Sequence, residues 1–70
     1  MEDVMRVVFD NGVETTIGHR NNIQEANKII YDFLNENNYK SHYWRTSFIE
    51  DEQKWWVDVG SWSEFFYIYL

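Results

Sequence analysis

The chain contains no cysteine and no proline, and its three glycines stand far apart at Gly12, Gly18 and Gly60. Without cysteine there is no disulfide framework and no thiolate metal site to staple a small fold. Isolated glycines exclude a Gly-rich phosphate loop. No apolar run approaches the roughly 18 residues that a membrane-spanning helix needs. Basic residues are also scarce. Six Lys and Arg stand against twelve Asp and Glu, a net charge of −6, which argues against a nucleic-acid partner, because phosphates call for a basic patch. The first residues, Met1-Glu2-Asp3, are acidic where the start of a secretion signal would be basic. The expectation is a cytoplasmic chain with no membrane partner.

Aromatic residues are what the chain has in abundance: 14 of 70, four of them Trp. A domain this short buries only about 60% of the surface its unfolded chain exposes. Each aromatic side chain can bury roughly 150–250 Å², and that offsets the conformational entropy lost on folding. Such a composition excludes a disordered tail. One domain spans residues 1–70, with no linker, repeat or low-complexity segment.

Three blocks are visible: a hairpin over 4–18, a helix over 22–37 and a three-strand meander over 40–70, where ten of the aromatics lie. In the hairpin, a three-residue loop Asp10-Asn11-Gly12 with Gly12 left-handed sets Phe9 against Val13, Val7 against Thr15 and Met5 against Ile17. That register gathers the apolar side chains on one face, and a one-residue slip would scatter them. Arg6 then lies near Glu14 and Thr16. The helix begins at Asn22, a good N-cap followed three residues on by Glu25. Ile23, Ala26, Ile29, Ile30, Phe33 and Leu34 form one apolar stripe, and Asn37-Asn38 end it.

The meander has internally consistent registers. A turn at Glu50-Asp51-Glu52-Gln53 pairs Phe48 with Trp55, Thr46 with Val57 and Trp44 with Val59 on one face. On the other face it pairs Ser47 with Trp56, Arg45 with Asp58 and Tyr43 with Gly60. A second turn at Gly60-Ser61-Trp62-Ser63 pairs Val57 with Phe66 and Trp55 with Ile68, and on the other face Asp58 with Phe65 and Trp56 with Tyr67. Ser61 and Glu64 also fit a capping box, a competing sign of a short helical turn. The β-rich run Phe65–Leu70 favours turn then strand, with the last strand at the sheet edge. The fold class is α+β, in the order ββαβββ: an antiparallel-rich sheet with one helix packed on one face. The expected core is Val7, Phe9, Ile17, Ile30, Phe33, Trp44, Phe48, Trp55, Val57, Phe66 and Ile68.

Catalytic and ligand-binding patterns fail one by one. His19 and His42 are 23 positions apart, so no metal-ligating spacing exists. Ser41 and His42 are neighbours in a strand and point to opposite faces, which removes the one tempting nucleophile–base pair. The carboxylates Glu50, Asp51 and Glu52 sit at a hairpin tip, with no pocket in which to shift a pKa. No enzyme activity, metal or cofactor is expected. What remains is the sheet face that the helix leaves open. It carries Tyr43, Arg45, Trp56, Asp58, Phe65, Tyr67 and Tyr69, the residue types that dominate protein interfaces. The tip carboxylates form an acidic patch that can imitate a phosphate backbone toward a basic groove.

The segment Trp55-Trp56-Val57-Asp58-Val59-Gly60-Ser61-Trp62-Ser63-Glu64-Phe65-Phe66-Tyr67-Ile68 resembles the C-terminal W-V-D-x-G-S-x-x-x-F-F-x-I type segments of small proteins encoded by phages and prophages of Gram-positive bacteria. The resemblance covers a fifth of the chain. It implies an accessory protein of a mobile element, working in the cytoplasm of a bacterial host by binding a host protein or a second copy of itself as a homodimer. Inhibition of a defence nuclease, of the anti-CRISPR or anti-restriction type, falls within that expectation. The alternative is a single-stranded nucleic-acid-binding module that stacks bases on the aromatic face.

Overall fold

A computed structural model describes residues 4–39, 44–61 and 63–70. The expectations for Ser41, His42, Tyr43 and Trp62 lie outside the described residues. Apolar residues at every second position give strands, and those at every third and fourth give the helix. The elements are β1 (Met5–Asp10), β2 (Glu14–Arg20), α1 (Ile23–Glu36), β3 (Arg45–Ile49), a 3-10 turn (Glu50–Glu52), β4 (Lys54–Asp58) and β5 (Phe65–Tyr69). They build an α+β fold: a five-stranded antiparallel sheet in the order β2-β1-β5-β4-β3, with α1 on one face. The C-terminal strand β5 therefore lies at the centre, between β1 and β4, and not at an edge. Its residues Phe66 and Ile68 are buried, as suits a middle strand flanked by two others.

The helix starts where Asn22 Oδ1 accepts from the Glu25 amide at 2.9 Å and ends at Asn37. Its buried residues are Ala26, Ile30 and Leu34, within the expected stripe. Beneath it, Phe9, Phe33 and Phe66 pack as a cluster of rings with centroids 4.7–5.6 Å apart. Val7, Val57, Val59 and Ile68 complete the buried core.

The first hairpin departs from its expected register. Asp10 pairs with Glu14, Phe9 with Thr15 and Val8 with Thr16, so the loop is Asn11-Gly12-Val13. Side chains decide this. Asp10 Oδ1 accepts from the Gly12 amide at 2.9 Å and Asn11 Oδ1 from the Val13 amide at 3.4 Å, drawing Val13 into the turn, where it is 71% exposed. Gly12 is left-handed as expected, at φ +107°. A shift of two positions keeps each residue on its face. Farther along, a bulge leaves Ile17 and Gly18 together against Val7. A Cβ at Gly18 would lie 2.6 Å from Ile29 Cδ1, so glycine there lets the helix settle onto β2. β2 runs past the expected hairpin end at residue 18, so His19 belongs to the strand, where it is exposed.

The meander registers agree with the sequence reading. Arg45 pairs with Asp58, Thr46 with Val57, Ser47 with Trp56 and Phe48 with Trp55. Trp55 pairs with Ile68, Trp56 with Tyr67 and Val57 with Phe66. In the second turn, Ser61 Oγ accepts from the Ser63 and Glu64 amides at 3.3 and 3.1 Å, as a helix cap would, yet the chain continues into strand β5.

Candidate interaction surface

Five strands spaced about 4.8 Å apart span roughly 19 Å, whereas one helix is about 10–12 Å across. One helix therefore covers only part of one face. Helix α1 lies mainly over β1 and β2. Phe48, expected in the core, sits on the outer strand beyond its reach and is 40% exposed. It leans on Trp55, with ring centroids 5.0 Å apart. Tyr31 on the helix stacks on Trp44 at 4.5 Å with nearly parallel rings. Between helix and β3 runs an apolar groove of about 220 Å³ lined by Ile23, Asn27, Thr46, Trp55, Val57 and Ile68. The buried Asn27 Oδ1 beside it accepts no hydrogen bond from the described residues.

The helix-free face carries the expected aromatic row. Trp56, Phe65, Tyr67 and Tyr69 are all half-buried, and the rings of Trp56 and Phe65 are 5.6 Å apart. Arg45 is exposed at the outer strand. Asp58 is not an open contact residue: it is only 7% exposed, and its Oδ1 accepts from the Gly60 amide at 2.9 Å. That bond shapes the turn after β4, where Gly60 takes φ +91°.

Sequence reasoning missed the centre of this face. Val8 is fully buried there without a helix above it, opposite Tyr67 on one side and Thr16 on the other. Lys54, opposite Tyr69, is 8% exposed. Its ammonium lies 4.2 Å from the centroid of the Tyr67 ring and 5.1 Å from that of Tyr69. It reaches the Tyr69 hydroxyl at 3.4 Å and Glu52 Oε2 at 3.4 Å. The Tyr69 hydroxyl donates to Glu14 Oε1 at 2.7 Å. Arg6 covers the Tyr69 ring at 4.5 Å and donates to Thr16 Oγ1 at 3.2 Å, near Thr16 as expected. Four strands are thus tied by one cluster of two cations, two tyrosines and two carboxylates. The signal for Lys54 was present, because the Trp55–Ile68 register implies Lys54 opposite Tyr69. The neighbourhood of β1 and β5, which brings Arg6, was not legible.

Protonation follows from this cluster. Burial by itself would lower the Lys54 pKa, but the Tyr69 hydroxyl and the Glu52 carboxylate outweigh it and hold the ammonium above its ordinary value. Burial raises Tyr67, helped by the Asp10 carboxylate. The hydrogen bond to Glu14 raises Tyr69, with burial adding to it.

The acidic turn stands clear of the sheet. Glu50, Asp51 and Glu52 are exposed. Gln53, left-handed at φ +51°, closes the turn with its amide and its side chain on the Glu50 carbonyl. Among the described residues no group of three or more His, Cys, Asp or Glu converges as a metal site, and no helix is long and apolar enough to cross a membrane. Comparison of the chain with protein-family models, with curated proteins and with solved structures finds no match.

Proposed function

We propose that this chain is a non-enzymatic protein-binding module whose contact face is the helix-free side of the sheet. The observation that carries the reading is the row of half-buried aromatic rings from Trp56 to Tyr69, running across the central strands with exposed Arg45 at its rim. Large rings on a rigid sheet bury area at low entropic cost when a partner covers them. Val8 and Lys54 are already covered from within the chain, so the end of the face around Trp56 and Phe65 carries the apolar contact. The exposed acidic turn is a second contact, complementary to a basic surface such as the nucleic-acid groove of a nuclease. The setting we propose, from the resemblance of residues 55–68, is an accessory protein of a phage or prophage that binds a protein of its bacterial host.

Two findings favour a protein over single-stranded nucleic acid. Arg6 and Lys54 already lie over the tyrosine rings, on which bases would have to stack. The net charge of −6 also opposes a polyanion. The test is capture of partners from a bacterial lysate on immobilised chain, compared with Trp56→Ala and Phe65→Ala, each checked for folding by circular dichroism. A partner held by the parent and lost from both folded variants supports the proposal. Partners retained equally by all three would remove it. Tight, steeply salt-dependent binding of a single-stranded oligonucleotide would replace it with the nucleic-acid reading.

A further inference from the structure

We infer that strand β3 is a self-pairing edge, and that two copies of this chain join through it into one continuous sheet. The sheet has two outer strands, β2 and β3. β2 carries a bulge at Ile17, a feature that discourages pairing with another chain. β3 has no bulge, no proline and no lysine, and among the described residues nothing pairs with its outer side. Four of its five residues are exposed. Bulges, proline and lysine are among the devices that protect natural edges, and β3 has none of the three.

The charges say what pairs with it. β3 begins with its one cation, Arg45, and ends against the carboxylates Glu50 and Asp51. An antiparallel strand of opposite order is its complement, and a second copy related by a two-fold axis supplies that order. With the axis at Ser47, the two five-residue strands overlap fully. Arg45 then faces Ile49 of the second copy, and Thr46 faces Phe48. The next residues along the second copy are Glu50 and Asp51. Glu50 opens the 3-10 turn directly after Ile49, with Asp51 next to it, so across about 5 Å between strands the turn carboxylates lie within reach of an arginine side chain. Two such ion pairs form, one at each end.

The same register gives Phe48 a place. It is a large apolar side chain, 40% exposed, on the face that bears the helix. In the dimer it lies beside Thr46 of the second copy, the short side chain at the rim of the groove lined by Ile23, Trp55 and Val57. Each copy therefore contributes an aromatic ring toward a groove that its own helix is too narrow to cover. This interface leaves Trp56 and Phe65 open but occupies Arg45 and the acidic turn, so a host partner that uses either of those competes with the second copy.

The test is sedimentation equilibrium on the full chain from roughly 1 µM to 1 mM, the range of weak association. The expectation is a monomer–dimer equilibrium. Arg45→Glu should weaken it about tenfold or more, and Glu50→Arg with Asp51→Arg should do the same, because each places like charges at both ends of the pair. An equimolar mixture of the two variants should associate as the parent does, since every end again brings opposite charges together. Circular dichroism checks that both variants fold. A parent that stays monomeric to about 1 mM, a dimer indifferent to both reversals, or a mixture that fails to associate would each overturn the inference. So would a dimer lost in Trp56→Ala but kept in Arg45→Glu.

Discussion

Removing a single oxygen, by Tyr69→Phe, measures what the polar cluster on the helix-free face contributes to stability. The hydroxyl donates to Glu14 at 2.7 Å and accepts from Lys54 at 3.4 Å. A hydrogen bond to a charged group is worth about 1.5–3 kcal/mol when sheltered. Glu14 is exposed and water can replace its partner, so that bond contributes about 1 kcal/mol or less. Lys54 is sheltered, but its bond is long and Glu52 remains at 3.4 Å, so its share is about 0.5–1 kcal/mol. The expected loss is about 1–2 kcal/mol, or roughly 4–16 °C in Tm for a domain of this size. Lys54→Met keeps the stem and removes the charge, and the carboxylate it leaves behind, Glu52, is exposed to water. In that background Tyr69→Phe should lose only the Glu14 part, leaving a coupling of about 0.5–1 kcal/mol. Urea unfolding at neutral pH, followed by tryptophan fluorescence, gives all four corners of the cycle. A Tyr69→Phe protein as stable as the parent, or one equally destabilised with and without Lys54, would show that the cluster does not hold the strands.

Three further outcomes are expected. Gly12→Val should cost about 1 kcal/mol in thermal unfolding, entirely from backbone strain, since nothing lies within 4 Å of its Cβ position. Phe66→Ala should cost about 3–5 kcal/mol and unfold much of the population at room temperature by circular dichroism, whereas Phe48→Ala, on the outer strand, should cost about 1 kcal/mol. Stability should fall in alkali. Lys54, Tyr67 and Tyr69 all have folded pKa values raised above the ordinary 10.5, 10.0 and 10.0, so the folded state binds protons more tightly. Their contribution is full below about pH 10 and is lost as pH rises through the folded values. Urea midpoints unchanged between pH 9 and pH 11 would contradict that sign.

Local order was readable from the chain because it rests on contacts between residues near in sequence. Asn22 and Glu25 mark the helix start, the period of Ile23 to Leu34 gives its buried stripe, and alternation sets the pairing of residues 45–49 with 54–58. The first turn shows the limit of that logic. Apolar matching alone placed Val13 opposite Phe9, but the carboxylate of Asp10 and the amide of Asn11 bind the loop backbone and push Val13 outward. Local hydrogen bonds outweighed one exposed valine. Long-range order was not readable. Nothing in the sequence places β5 between β1 and β4, since any strand with two apolar faces can sit inside a sheet. That placement put Arg6 and Lys54 on either side of Tyr69, buried Val8 and made β3 an edge. Width decided the rest: one helix cannot cover five strands, and this tertiary fact, invisible in the period of any segment, leaves Phe48 and the groove beside Thr46 open.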